Sequence, residues 1–131
     1  MSKLFKFALT VCICLGNYAC YYDQEAEQEP VPDVDPDTPI SFRSDIEPLF
    51  SRNGKDCTAC HNGLIQNPDL RVGNAFEALL QGGYVIPNDA ESSLLYQSLP
   101  GNEHPVTLGF ALSTEEISLI KGWIDRGAEN N

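Results

Sequence analysis

The feature that most limits what this chain can fold into is how often its helical periodicity is broken. From Phe42 onward apolar residues recur at three- and four-residue spacings, but only in short pieces set apart by Gly and Pro. Ser44 opens the first piece, through Ile46, Leu49 and Phe50, with Pro48 tolerable in its first turn. Asn74 and Glu77 open a second, through Phe76, Leu79 and Leu80, which Gly82-Gly83 ends. Asp89 or Ser92 starts a third through Leu94, Leu95 and Leu99. The last is the clearest: Ser113 and Glu116 form a capping box, Ile117, Ile120, Trp123 and Ile124 follow at helical spacing, and Gly127 is a plausible stop. No long alternating strand pattern and no internal repeat is present. The expectation is an all-α fold of about four short helices. So little regular structure makes only a small core from side chains alone, and a bulky apolar cofactor at its centre would supply the rest.

The residues before position 42 read differently. Lys3 and Lys6 precede a short apolar run, Phe7 to Gly16, too short to span a bilayer as a helix, so residues 1–19 are expected to be a signal peptide. Asn17-Tyr18-Ala19-Cys20 resembles a bacterial lipobox, although Asn17 stands where an aliphatic residue is usual and Tyr18 is bulky. Cys20 is therefore the candidate for lipidation, against an ordinary secreted form. Residues 20–41 follow as an acidic, Pro-rich tether. Tyr21 to Ser41 holds seven acidic residues, four prolines and no basic residue, a composition that self-repels and is expected to stay disordered and extended. The domain is expected over 42–131. Eight Lys and Arg against nineteen Asp and Glu give a net charge of −11, which repels phosphate backbones and argues against nucleic acid as a partner.

The chemistry is concentrated in Cys57-Thr58-Ala59-Cys60-His61. Two thiols three positions apart on one turn can reach the two vinyl groups of a haem and form thioethers, and the adjacent imidazole is then presented to the iron as proximal ligand. Export suits this reading, since covalent haem attachment in bacteria takes place outside the cytoplasm. Three other readings compete. Cys57 and Cys60 could form a disulfide in an oxidising compartment. They could be a thiol-redox pair, but the βαβ pattern of a thioredoxin-like fold is missing. With His61 and His104 they could hold zinc, although neighbouring Cys60 and His61 would strain to share one tetrahedral centre.

Taken with its flanks, the motif resembles class I-like cytochrome c domains, especially the short versions in exported bacterial lipoproteins. The resemblance runs from Phe42 to about Glu129. Ile46-Glu47-Pro48-Leu49-Phe50 precedes the haem motif; Asp69-Leu70-Arg71, then Glu91-Ser92-Ser93-Leu94-Leu95-Tyr96, then Leu112-Ser113 to Gly127-Ala128 follow in the family's order. It implies a small cytochrome c-like fold around one covalent haem c, with first and last helices crossing so that Leu49 and Phe50 lie near Ile120 and Trp123. Such domains usually carry a Met as sixth iron ligand. The single Met here is Met1, and His104-Pro105 stands at the matching place, so His104 is the candidate distal ligand, against a loop residue beside an open sixth site. Arg71 and Tyr96 are candidates for bonding haem propionates, although surface and half-buried fates are commoner for such side chains.

The function these features imply is electron transfer in the bacterial cell envelope, periplasmic or at the cell surface. The chain would be lipid-anchored through Cys20 and would exchange electrons with a redox partner protein. An electron carrier is expected rather than an enzyme; a peroxidase-like role would need an open sixth site. The alternative is a haem-free, disulfide-stapled binding module of the envelope. Oligomeric state is not legible.

Overall fold

Ser41, three residues earlier than expected, begins the first helical segment. Its hydroxyl accepts the Ser44 N–H at 3.3 Å, while its own N–H donates to Asp45 Oδ2 at 2.7 Å. The reciprocal pair satisfies donors that a helix start leaves bare. The turn Phe42–Ile46 is a wide π-helical one, closed by the Glu47 N–H on the Phe42 carbonyl. It passes into a 3-10 turn, Glu47–Phe50, whose Pro48 has no N–H to continue an α pattern. The computed structural model describes residues 31–52, 54–99 and 111–131, all within the unit Val31–Asn131.

A two-stranded antiparallel hairpin follows. Strand β1 (Ser51–Arg52) pairs with β2 (Lys55–Asp56), Ser51 opposite Asp56 and Arg52 opposite Lys55, and Gly54 makes the reversal at φ 80°. Like charges directly across a ladder repel. Here both cations reach one carboxylate, Glu116, with Lys55 Nζ 3.3 Å from its Oε2 and the Arg52 guanidinium on Oε1. That contact ties the hairpin to the start of the last helix.

Three α-helices are present among the described residues: α1 (Ala75–Gln81), α2 (Leu94–Ser98) and α3 (Thr114–Asp125). The capping box of α3 forms as its sequence requires, Ser113 Oγ accepting the Glu116 N–H and Glu116 accepting the Ser113 N–H. Its far end closes through Gly127 at φ 99°, with the Ala128 N–H on the Trp123 carbonyl at 3.0 Å. Helix α1 ends at Gly82, with Gly83 at φ 71°. The Asn74 carboxamide does not cap α1; it donates to Asp69 Oδ2 at 2.9 Å.

The core gathers between α3 and the segment Phe42–Phe50. Ile46, Leu79, Ile120 and Ile124 are fully buried, and Trp123 packs against Phe42 at 5.0 Å and Phe76 at 6.5 Å between ring centroids. The indole N–H donates to the Glu129 carbonyl at 3.0 Å, so the one polar atom of the ring is satisfied where its body is buried. The first and last helical segments pack together, with Phe42 the nearer of the two rings against Trp123.

The all-α expectation is therefore corrected. With a hairpin, a π turn, 3-10 turns and α-helices of 7, 5 and 12 residues, the architecture is mixed and irregular and not the expected cytochrome c-like bundle. Each hairpin strand is only two residues long, too short to write an alternating pattern into the sequence. The disordered tether is corrected as well, over its last eleven residues. Residues 31–41 lie on α3, with Ile40 buried and Val31 and Val34 half-buried against the core. Residues 1–30, including the expected signal peptide and Cys20, lie outside the described residues.

Candidate functional site

The hairpin delivers the chain directly into the Cys57 motif. Asp56 caps the turn Cys57–Ala59, its Oδ1 accepting from the Thr58 N–H at 3.1 Å and the Thr58 hydroxyl at 2.6 Å. The Cys57 carbonyl accepts the N–H of Cys60 at 3.2 Å and of His61 at 2.8 Å, which makes residues 57–61 a single helical turn. On such a turn positions i, i+3 and i+4 share a face. A second pair of bonds, Gln66 N–H to the Cys60 carbonyl at 3.1 Å and Leu70 N–H to the His61 carbonyl at 2.9 Å, closes the loop that follows.

The face so formed opens on a cavity. Its walls include Cys57, Cys60 and His61 but neither Thr58 nor Ala59. Phe50, Leu70 and Leu79 make a buried apolar floor, and Leu94, Leu95 and Leu99 of the α2 region make the facing wall. Leu94, Leu95, Ser98 and Leu99 recur at i, i+1, i+4 and i+5, so one side of a short helix lines the cavity while Tyr96, on the other, is buried in the core. The cavity is ≈ 190 Å³, below the roughly 300–1,000 Å³ of ordinary ligand and cofactor sites, and it opens to solvent on one side. Cys60, Asn67 and Leu94 are the exposed lining residues and mark where the cavity meets solvent.

These residues fit a covalently held haem. A large flat apolar group needs apolar walls, two thiols and an imidazole on one side; the turn supplies the thiols and the imidazole, and Phe50, Leu70, Leu79 and the leucines of the α2 region supply the walls. Both thiols are free. Burial pushes the Cys57 thiol up from its ordinary value, and the negative charge of Asp56 adds to the rise. Among the described residues no group of three or more His, Cys, Asp or Glu side chains is placed to hold a metal ion.

The other candidates fall elsewhere. Arg71 is spent on its neighbour Asp69, with Nε to Oδ1 at 2.9 Å and Nη2 to Oδ2 at 2.6 Å, and it does not line the cavity. Tyr96 does not line it either. His104, like Cys20, lies outside the described residues. Sequence reasoning passed over Tyr84 and Asn67, which with Ser98 are the polar side chains of the cavity wall besides the motif itself. Tyr84 was findable only through packing: its backbone bonds to Leu79 and Leu95 join α1 to α2 across the cavity.

No family model matches the chain, and neither a curated protein nor a solved structure is significantly similar to it, so what the site does has to be read from its own geometry.

Proposed function

We propose that this chain carries one c-type haem, bound covalently through Cys57 and Cys60 with His61 as proximal iron ligand, and that it transfers electrons to or from a redox partner protein in the bacterial cell envelope. The observation that supports this reading is the shared orientation of the three groups: Cys57, Cys60 and His61 line one apolar cavity, and the two residues between the cysteines do not. When bound, the haem supplies one-electron chemistry between ferric and ferrous iron.

Each residue then has a definite task. The thiols of Cys57 and Cys60 would hold the haem as two thioethers, each S–H adding across one vinyl group with its hydrogen passing to the second vinyl carbon, so that no oxidant would be consumed. The His61 imidazole would be the proximal ligand of the iron. Phe50, Leu70 and Leu79 keep water from the inner end of the cavity, and exclusion of water together with the axial ligands sets the potential. His104 is proposed as the distal ligand; imidazole in place of a thioether lowers the potential relative to a His/Met pair. Among the described residues no helix is long and apolar enough to cross a membrane. Attachment to the membrane is proposed to run through a lipid on Cys20, after removal of residues 1–19, and globomycin-sensitive processing lost in Cys20→Ser is its check.

The test of the haem itself is a reduced pyridine haemochrome spectrum of the denatured protein, produced with an export signal in a host that matures c-type cytochromes. A c-type spectrum that survives denaturation supports thioether attachment. A colourless product, in a host that matures a control cytochrome, leaves the haem-free binding module as the better account.

A further inference from the structure

The acidic stretch before the domain is held to α3 in two different ways. Its outer part, Val31–Thr38, is held mainly by side chains at the surface. Lys121 Nζ lies 2.8 Å from Asp33 Oδ1 and 3.1 Å from Asp125 Oδ2. Arg126 donates to the carbonyls of Asp35, at 2.9 Å, of Val34, at 3.4 Å, and of Thr38. Gly122 provides the groove: a Cβ there would stand 2.9 Å from Ile40 Cδ1 and 3.5 Å from Val34 Cβ. The inner part is anchored in the core. Ile40 is 7% exposed, Ser41 Oγ donates to the Asn131 carbonyl at 2.8 Å, and the Phe42 N–H donates to Asn131 Oδ1 at 2.8 Å.

We propose that Val31–Thr38 is a releasable strap that detaches from α3 while Ile40–Phe42 stays seated and the rest of the domain stays folded. The contacts of the outer part are the kind that open first: Asp33 is 83% exposed in its ion pair with Lys121, Val31 and Val34 are only half-buried, and exposed ion pairs are individually weak and screened by salt. Segments held this way open at a free-energy cost far below that of global unfolding. Release frees eight residues, which span roughly 26–29 Å when extended, whereas the docked strap is shortened by a turn at Asp35–Thr38. The device therefore sets the length of extended chain available ahead of Ile40. It depends neither on haem binding nor on lipidation of Cys20.

Native-state cleavage of the full chain by a protease that cuts after acidic residues tests this, since Asp33 and Asp37 lie in the strap and neither precedes a proline. The wild type is expected to be cut there about tenfold more slowly than a free peptide of residues 28–41, and Lys121→Gln/Arg126→Gln to approach the peptide rate. Cleavage after Glu116, inside the capping box of α3, stays slow in both proteins. Two results would overturn the proposal: wild-type cleavage at the peptide rate, meaning the strap does not dock, or strap cleavage that occurs only at the rate of Glu116 cleavage, meaning it opens only with the whole domain.

Discussion

Glu116 joins three parts of the molecule, and its removal should show how much the hairpin depends on α3. Its Oε2 accepts the Ser113 N–H at 2.8 Å and lies 3.3 Å from Lys55 Nζ, while Oε1 pairs with Arg52. The carboxylate is 15% exposed, but Arg52 and Lys55 are 42% and 32% exposed, so the two ion pairs are discounted to a few tenths of a kcal/mol each. The reciprocal capping bond contributes about 1 kcal/mol, and a negative charge in the first turn of α3 about 0.5 kcal/mol through the helix dipole. Glu116→Ala is therefore expected to cost about 2–2.5 kcal/mol. Ser113→Ala, which keeps the ion pairs and the charge, should cost about 1 kcal/mol. Glu116→Gln keeps an acceptor for the Ser113 N–H and should also cost about 1 kcal/mol, a loss that shrinks as salt screens the charge. For a unit of this size, Glu116→Ala corresponds to a fall in Tm of roughly 10 °C. Urea titration of the three variants at low and high salt is the assay. Equal costs for Glu116→Ala and Ser113→Ala would refute the reasoning, because the ion pairs to the hairpin would then contribute nothing.

Other consequences follow from single side chains. Ser93 is fully buried, accepts the Ile86 N–H at 2.9 Å and donates to the Asp89 carbonyl at 2.7 Å. Ser93→Ala should cost about 1 kcal/mol in urea unfolding, since it removes both bonds of a buried hydroxyl, and a neutral result would mean that water takes the hydroxyl's place. Asp69 is held well below the usual carboxylate range, first by the hydrogen bond from Arg71. A depressed carboxyl gives its full stabilisation above the unfolded pKa of about 3.9 and loses it as pH falls toward the folded value. Between about pH 4 and pH 2 the wild type should therefore lose more stability than Asp69→Asn, and parallel pH profiles would contradict the pairing. If His104 is the distal ligand, His104→Ala should convert a low-spin haem spectrum to a high-spin one, and an unchanged spectrum would remove it from the iron.

What the sequence made legible was local. The capping box of α3 and its Gly127 stop involve residues within four or five positions of one another, and both form as read. The turn of Cys57 to His61 needed only its own spacing to place three groups on one face. What stayed hidden was set by distant partners. Residues 31–41 look disordered by composition, because nothing nearby can pair their acids; Lys121, Gly122 and Arg126, some 80 to 90 positions on, supply the seat. Arg71 looked available for an anionic ligand, yet Asp69 two residues before it takes both arms of its guanidinium. The hairpin was invisible for a different reason. Its pairing satisfies backbone groups across a reversal at Gly54, and strands of two residues leave no side-chain pattern to detect.

The central claim, that Cys57 and Cys60 hold a haem and not each other, is tested most directly by intact-mass spectrometry of the denatured protein after maturation in an export-competent host. The account predicts the polypeptide mass plus one haem, reduced to the bare polypeptide in Cys57→Ala/Cys60→Ala. A product two hydrogens lighter than the bare polypeptide, regaining them on reduction and never carrying the haem increment, would show a disulfide in its place and contradict the account.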